Sequence, residues 1–283
     1  MIKINARGCE LDLSTPKVMG ILNVTPDSFS DGGTHNRYHD ALDHVASMVN
    51  AGASIIDIGG ESTRPGADEV SVNEELDRVI PIVEAIAQRF DVWISVDTSK
   101  AQVMSEAAKA GMHLINDIRS LHEAGSLEVA AQTGLPVCIM HMQGEPRTMQ
   151  NAPHYEDVVR EVKTYFQAEI ERCVAAGIKK QQIILDPGFG FGKNLSHNYQ
   201  LLANLNKFHD FGLPVLAGMS RKSMIGQLLN VSPQERLAGS LACATIAAMQ
   251  GAQIIRVHDV EETVQAMQVV QMTLSEKEKL AYE

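Results

Sequence analysis

The sequence predicts an α/β protein folded as a (β/α)8 TIM barrel with a short N-terminal β-hairpin. Eight short runs of mainly β-branched apolar residues each end in a polar or glycine-rich tip, and a segment of helical periodicity follows. Six glycines stand shortly before predicted strands, where the preceding helices would end: Gly52, Gly111, Gly134, Gly177, Gly212 and Gly251. The length of 283 residues is also close to the roughly 250 residues typical of one such barrel. We therefore expect a single domain spanning residues 1–283.

Two periodicities define the order of the elements. Strands are predicted at residues 18–23, 54–60, 92–99, 113–120, 136–142, 183–189, 214–220 and 253–259. Helices are predicted at residues 39–51, 71–90, 100–110, 126–133, 158–174, 197–210, 233–250 and 260–275. Alternating apolar residues on either side of Arg7 and Gly8 predict a hairpin within residues 1–13, which we expect to close the lower end of the barrel.

The composition argues against nucleic acid and membranes as binding partners of this protein. A formal net charge of -11 and a hydrophobic content of 45% indicate an acidic protein without general affinity for nucleic acid. No apolar stretch reaches the roughly 18 to 20 residues that cross a bilayer, and the N-terminus lacks a signal-peptide pattern. We therefore expect no membrane partner and a cytoplasmic location. Cys9, Cys138, Cys173 and Cys243 lack C-x-x-C spacing, which favours reduced thiols over disulfides or zinc ligands.

Polar residues at strand tips are the first candidates for chemistry, because such a barrel builds its site from the loops after the carboxyl ends of the strands. Asp97 and Asp186 lie near the ends of the third and sixth predicted strands, and Asn116 lies in the fourth. Carboxylates among Val, Ile and Leu are costly unless they accept hydrogen bonds. A planar heterocycle with adjacent N–H donors meets that need, and Asn116 can both donate and accept. The alternative is a buried ion network in which Lys222 or Arg256 pairs with these carboxylates.

Basic residues form a second group of candidates. Arg64 follows the second strand, Arg221 and Lys222 follow the seventh, and Arg256 and His258 lie on the eighth. Loops after strands seven and eight frequently bind phosphate in this fold, and both Arg and Lys suit an anion. For Arg221 we favour a surface or interface salt bridge, and for His258 a satisfied core histidine stays open beside anion binding.

Two connections are long enough to act as mobile lids over this end of the barrel. Residues 24–38 contain T-P-D-S-F-S-D-G-G, and residues 61–70 contain E-S-T-R-P-G. Asn23 and Asp31 offer oxygen ligands of the kind that Mg²⁺ uses beside phosphates and water. The run G-F-G-F-G at 188–192 lacks the spacing of a phosphate loop, so we interpret it as tight-turn glycines beside an aromatic wall.

Seven segments spread along the chain resemble those of the dihydropteroate synthases. They are M-G-I-L-N-V-T-P-D-S-F-S-D-G-G (19–33), D-I-G-G-E-S-T-R-P-G (57–66), I-S-V-D-T (94–98), I-N-D-I (115–118), D-P-G-F-G-F-G-K (186–193), G-M-S-R-K-S (218–223) and R-V-H-D (256–259). The resemblance implies that 6-hydroxymethyl-7,8-dihydropterin diphosphate condenses with 4-aminobenzoate to give 7,8-dihydropteroate and diphosphate. It also implies a homodimer and a target of sulfonamides.

The resemblance assigns roles to residues of this sequence. It places the pterin on Asp97, Asn116, Ile118, Met140, Asp186 and Lys222. It places the diphosphate on Asn23, Thr63, Arg64, Arg256 and His258, with Mg²⁺ on Asn23 and Asp31. It places aminobenzoate among Phe29, Thr63, Pro65, Phe191 and Ser223, and it makes Asp97, Asp186, Lys222, Arg256 and His258 the catalytic group. The two aspartates would then stabilise the positive charge that develops on the pterin as diphosphate leaves.

Two other functions stay open at this point. A pterin-binding methyltransferase on the same barrel would share the Asp and Asn contacts and pass a methyl group to a corrinoid, but it has no use for Arg64, Arg256 and His258 together. A barrel that binds pterin without turnover is the second alternative. The small residues of the helix at 233–250 are compatible with a close homodimer contact and equally with packing against the barrel.

Overall fold

The computed structural model describes residues 2–25, 34–62, 69–145, 149–150 and 152–281. Its first element is an antiparallel hairpin of β1 (Lys3–Ala6) and β2 (Cys9–Asp12), in which Lys3 pairs with Asp12 and Ala6 with Cys9. The turn at Arg7 and Gly8 has positive φ at both residues, as a type I′ hairpin turn requires. The predicted hairpin is confirmed.

Eight parallel strands form the sheet that follows. They are β3 (Lys17–Asn23), β4 (Ile55–Gly59), β5 (Trp93–Asp97), β6 (Leu114–Asp117), β7 (Val137–Met140), β8 (Ile183–Asp186), β9 (Leu216–Ala217) and β10 (Ile254–Val257). Their order is β8-β7-β6-β5-β4-β3-β10-β9. A parallel bridge between Leu185 and Val215 joins β8 to β9, so the sheet closes on itself. The predicted (β/α)8 barrel is confirmed, and all eight carboxyl ends face one end of it.

Helices follow the strands in the alternating pattern that parallel pairing requires. They are α1 (Thr34–Asn50), α2 (Val72–Arg89), α3 (Ala101–Ala110), α4 (Ser126–Thr133), α5 (Val158–Ala175), α6 (Leu195–Ala203), α7 (Ser223–Leu229), α8 (Leu237–Met249) and α9 (Val260–Ala281). All six glycines predicted to end helices have positive φ. None of the helices in the described ranges is long and apolar enough to cross a membrane.

The hairpin lies at the end of the barrel opposite the strand tips. The Arg7 guanidinium donates to the carbonyl of Ala108 at the end of α3, and Gln182, just before β8, donates to the carbonyl of Asn5 in β1. Ile4 and Leu11 are buried in the continuous apolar core. The hairpin therefore covers the lower opening, and the upper end is left for the loops.

Several predicted boundaries were wrong, and local hydrogen bonding explains the clearest case. The fourth strand was expected to reach Ser120, but β6 ends at Asp117. The Asp117 carboxylate accepts from the Ser99 hydroxyl and from the backbone N–H groups of Arg119 and Leu121, which turns the chain. The helix expected at 197–210 divides into α6 and a 3-10 segment, Leu205–Phe211. The short α7 after β9 was not predicted, because its seven residues are too few for a clear helical period.

Candidate active site

Asp57 is the centre of the polar cluster at the carboxyl ends of the strands. Its side chain is fully buried near the end of β4. It accepts three hydrogen bonds: from the Ser95 hydroxyl at 2.6 Å, from Asn116 Nδ2 at 3.1 Å and from Arg256 Nε at 2.6 Å. These donors come from β5, β6 and β10. One carboxylate thus connects four of the eight strands.

Arg256 bridges two carboxylates. Besides the contact of Nε with Asp57, its terminal nitrogen donates to Asp97 Oδ2 at 3.1 Å. For Arg256, the structure therefore shows the ion network that the sequence left open as the alternative. Because each guanidinium has five N–H donors, these two contacts do not exhaust its capacity to bind an anion.

Burial raises the pKa of both predicted aspartates. The pKa of Asp97 is raised to about 7, because burial and the neighbouring Asp57 outweigh the opposing effect of Arg256. Burial also raises the pKa of Asp186, against the effects of Lys222 and of the Gly188 backbone N–H, which donates to Asp186 Oδ1 at 2.8 Å. Both carboxylates would gain from further hydrogen-bond donors supplied by a ligand.

Lys222 contacts the glycine-rich turn at 188–192. Its Nζ donates to the Phe189 carbonyl at 2.6 Å and lies 4.6 Å from the centroid of the Phe191 ring. Burial lowers the pKa of Lys222 to about 8, while Asp186 acts in the opposite direction. The glycines at 188, 190 and 192 all have positive φ, so the interpretation of this run as a tight turn beside an aromatic side chain is supported.

Arg221 and His258, two of the basic residues predicted near the ends of the last two strands, have different surroundings. The Arg221 guanidinium pairs with the Asp259 carboxylate, as the favoured salt-bridge interpretation expects. His258 Nδ1 lies 3.1 Å from the Ser220 hydroxyl, and the His258 backbone N–H donates to the same oxygen. His258 is half-buried, so it is not a fully buried core histidine.

Some predicted site residues are placed by the structure and others are not. Ile118 and Met140 are buried, Asn23 and Phe191 are half-buried, and Ser223 is exposed at the start of α7. Phe29, Asp31, Thr63, Arg64 and Pro65 lie outside the described residues, as do the central parts of both predicted lids.

The ends of the second predicted lid are tied to the barrel. Lys100 Nζ lies 2.5 Å from carboxylate oxygens of both Glu61 and Glu75. The other oxygen of Glu61 accepts from the Val70 backbone N–H at 3.2 Å, so the first residue of the loop 61–70 is bonded to the last. Arg78 donates to the Gly60 carbonyl at 2.9 Å. These contacts hold Gly60, Glu61 and Val70, at the two ends of the loop, against the barrel.

Sequence reasoning missed Asp57, Lys100 and Lys193. Asp57 lies in the second predicted strand and begins the segment 57–66 that carries part of the resemblance, but no role was given to it. Lys100 directly follows the tip of β5, and Lys193 directly follows the glycine-rich turn. A charged residue at or next to a strand tip is the signal that would have found Asp57 and Lys100. Lys193 carried no such signal, because it lies beyond the turn that follows β8.

Comparison with known proteins agrees with this geometry. Residues 19–258 match the family described as pterin binding enzyme. The chain is 72% identical to the dihydropteroate synthase of Escherichia coli strain K12, with 100% of each chain covered. It is 58% identical to that of Haemophilus influenzae, covering 96% of this chain and 99% of the relative.

Solved structures give the same result. The Yersinia pestis dihydropteroate synthase in complex with a sulfonamide drug superposes with a TM-score of 0.93 at 69% identity, covering 97% of this chain and 100% of the other. The Xanthomonas albilineans dihydropteroate synthase with 4-aminobenzoic acid superposes with a TM-score of 0.91 at 47% identity, covering 96% and 98%.

The fold and the polar end of the barrel are those of a pterin-binding barrel enzyme, and the chain belongs to the pterin binding enzyme family. Within that family it belongs with the dihydropteroate synthases, which are transferases of folate biosynthesis. The family predicted from the sequence motifs is confirmed.

Proposed function

We propose that this chain, as one domain, joins 6-hydroxymethyl-7,8-dihydropterin diphosphate to 4-aminobenzoate at the carboxyl ends of its barrel strands. The observation that carries the proposal is the cluster of buried carboxylates around Arg256. Asp57 and Asp97 pair with its guanidinium, and the pKa of Asp97 stays raised in spite of that pair. A site with carboxylates and one shared arginine suits a ligand that is an N–H donor at one end and an anion at the other.

Asp97, Asn116, Asp186 and Lys222 are the proposed pterin ligands, with Ile118 and Met140 packing against the ring. The two carboxylates would accept from the N–H groups of the pterin edge, and Asn116 would bond to both donor and acceptor atoms. Lys222 would donate to the carbonyl oxygen of the pterin, because its Nζ carries N–H donors in either protonation state. The near-complete burial of Asn116 and Met140 makes these contacts dry and directional.

Arg256 and His258 are the proposed diphosphate ligands in the described part of the chain, together with Asn23. Thr63 and Arg64 would complete the set from the loop whose ends Lys100 and Arg78 fix. A diphosphate would compete with Asp97 for the terminal nitrogen of Arg256, while Asp57 keeps its bond to Nε. Substrate binding would thereby free the Asp97 carboxylate for the pterin.

Mg²⁺ is the proposed metal, held by Asn23, by Asp31 and by the diphosphate itself. Gly59 supports the fit, because a Cβ at that position would lie 3.6 Å from Asn23 Oδ1 and 3.9 Å from Asp97 Cβ. Glycine therefore leaves space beside the amide oxygen. Mg²⁺ commonly uses one or two protein oxygens and completes its shell with phosphate and water. When bound it would supply positive charge to the leaving diphosphate.

The reaction breaks the C–O bond between the pterin methylene and diphosphate, and the electron pair leaves with the diphosphate. Asp97 and Asp186 stabilise the positive charge that develops on the methylene and spreads into the ring. The amino nitrogen of aminobenzoate then forms the new N–C bond and releases its proton to solvent. No strong base is needed, since the aromatic amine is already a nucleophile and the site mainly positions it.

Aminobenzoate is proposed to lie between Phe191, Ser223 and the loop residues Phe29, Thr63 and Pro65. Phe191 stands beside Lys222, so this pocket adjoins the proposed pterin site. A sulfonamide would compete with aminobenzoate there, in line with the Yersinia pestis relative that was solved with such a drug.

A homodimer through α7, α8 and α9 is also proposed. Apolar side chains are exposed on all three helices: Leu228, Leu229, Ile246, Met249, Val269 and Met272. On α8 the small residues have two roles, because Ser240, Ala244 and Ala248 are buried within this chain, whereas Ala238 and Ala242 share an exposed face with Ile246. Such a face suits a second copy that packs closely.

We propose a cytoplasmic location as well. It is supported by the four free cysteines, three of which are buried in the core and none of which is paired.

The test is to incubate the protein with dihydropterin diphosphate and Mg²⁺, with and without 4-aminobenzoate, and to follow diphosphate and dihydropteroate. We expect diphosphate release in proportion to dihydropteroate formed. Binding of the pterin diphosphate without either product would instead support a silent pterin binder. Methyl transfer from a methylated pterin to a corrinoid would support the methyltransferase.

A further inference from the structure

A buried lysine follows the glycine-rich turn at 188–192. Lys193 is 3% exposed, and its Nζ contacts uncharged groups of two loops. It donates to the carbonyls of Gly188 and Phe191 at 2.9 Å each and to that of His141 at 3.2 Å, and it lies 2.9 Å from His141 Nδ1. Burial, together with Lys193, lowers the pKa of His141 to about 2, so the imidazole is neutral at neutral pH and can accept.

The lysine sits where two loops meet backbone to backbone. A Cβ on Gly188 would overlap the His141 carbonyl oxygen, and one on Gly192 would overlap that of Gln143. Further along the same loop, Tyr155 donates to the Gly192 carbonyl at 2.8 Å. The turn 188–192 is therefore held against the segment after β7, and Lys193 supplies donors at the centre of that contact.

The turn reaches two proposed pterin ligands and carries a proposed aminobenzoate contact. The Gly188 N–H donates to Asp186, and the Phe189 carbonyl accepts from Lys222. The Phe191 ring lies against Lys222. A shift of the turn would therefore move the Phe191 ring and alter the position of the Lys222 amine.

Stability alone gives little reason for a lysine at this position. Burying an amine is costly, and the net gain from its hydrogen bonds to carbonyl oxygens offsets that cost only in part. What an apolar side chain cannot do is bond to several carbonyl oxygens at once. The requirement that explains Lys193 is the shape of the turn.

We propose that Lys193 is a positioning residue that sets the turn 188–192 so that Phe191 forms one wall of the aminobenzoate site. The proposal rests on the proposed function and names a residue that acts through Phe191 and Lys222 rather than by touching substrate. Removing the amine would release the carbonyls of Gly188 and Phe191 and let the turn relax. A displacement of about 1 Å at a reacting group can cost on the order of 100-fold in rate.

The test is Lys193→Met, which keeps most of the stem and removes the donors. We expect kcat/KM for aminobenzoate to fall on the order of 100-fold, with the aminobenzoate KM raised because Phe191 no longer forms the wall of its site. The Kd of dihydropterin diphosphate, measured by calorimetry without aminobenzoate, should rise by less than about tenfold, because Lys222 shifts with the turn while Asp97 and Asn116 are untouched.

Two controls separate positioning from loss of folded protein. Lys163→Met removes a lysine that pairs with Asp210 on the outside of α5 and should leave both constants unchanged. Val162→Ala opens a cavity in the core under the same helix and should lower Tm without moving the aminobenzoate KM.

Equal aminobenzoate KM in wild type and Lys193→Met would overturn the proposal. A decrease in kcat alone, in proportion to the fraction of unfolded protein, would overturn it as well. If Lys193→Met does not fold, Tyr155→Phe is tested in its place, because it removes the hydroxyl that donates to the Gly192 carbonyl of the same turn. It should raise the aminobenzoate KM in the same direction, and an unchanged KM would overturn the proposal. A wild-type protein that forms no dihydropteroate contradicts the proposed function instead, so the two failures are distinguishable.

Discussion

Replacing Asp57 by asparagine should strongly lower the catalytic activity, although Asp57 is not a proposed substrate ligand. Asp57 is fully buried and accepts from Ser95, Asn116 and Arg256. Asparagine has nearly the same shape and retains one acceptor, which still suits the Ser95 hydroxyl. It places an NH2 group or a neutral oxygen opposite the Arg256 guanidinium, which then loses one of its two carboxylate partners.

The size of the effect follows from the loss of one partner of a buried ion pair, which typically costs about 3 to 5 kcal/mol. We take the lower end, about 3 kcal/mol, since Asp97 still pairs with Arg256. At about 2 °C per kcal/mol for a chain of this size, Tm should fall by roughly 6 °C. Because Arg256 is also released from its anchored position, kcat/KM should fall on the order of 100-fold.

Ser95→Ala is the matched control, since it removes a neutral donor from the same carboxylate. It should cost about 1.5 kcal/mol and lower Tm by roughly 3 °C. Its kcat/KM should stay within about threefold of wild type, because Arg256 remains paired. Thermal denaturation and initial rates of dihydropteroate formation measure both variants. The reasoning is refuted if Asp57→Asn keeps the wild-type rate, or if both variants lose rate equally.

Four further predictions concern charge, pH, metal and assembly. Asp97→Asn and Asp186→Asn should each lose more kcat than Arg64→Lys. Near-wild-type turnover of both asparagine variants would contradict the idea that the two aspartates stabilise the positive charge on the pterin. Because the pKa of Asp97 is about 7 and pterin donors require its carboxylate, pterin affinity should weaken about tenfold per pH unit below 7; a flat calorimetric profile between pH 5 and 7 would contradict this. Treatment with EDTA should suppress diphosphate release and added Mg²⁺ should restore it, whereas full activity in EDTA argues against the metal. Ile246→Glu should shift the protein to monomer in sedimentation, and an unchanged mass would exclude α8 from the interface.

The barrel was predictable because its signals are local and repeated. A β-branched run, a polar tip and a helical period recur eight times, and each recurrence supports the others. The same rule placed Asp97, Asn116, Asp186 and Arg256 at one end of the molecule. The rule also placed Asp57 there. The role of Asp57 was missed because its three hydrogen-bond donors, Ser95, Asn116 and Arg256, are all distant in sequence.

What could not be predicted depends on contacts between distant parts of the chain. Arg256 and Asp57 are 199 residues apart, and the pairing of their side chains is a property of the closed barrel. Lys193 reads in sequence as an ordinary solvated lysine, and only the approach of the loop after β7 makes it a buried donor. The short α7 after Lys222 and the turn at Ser120 were missed for the related reason that each is too short to carry a period.

The central claim is that the carboxylates and Arg256 let diphosphate depart before the amine attacks, and positional isotope exchange tests it most directly. Dihydropterin diphosphate carrying ¹⁸O in the C–O–P bridge would be incubated with the protein and Mg²⁺ without aminobenzoate, then recovered for analysis by ³¹P NMR. We predict that ¹⁸O moves from the bridge to the terminal oxygens of the same phosphoryl group, since the departed diphosphate can rotate and recombine. Unscrambled substrate recovered from a protein that forms dihydropteroate once aminobenzoate is added would contradict that order of events.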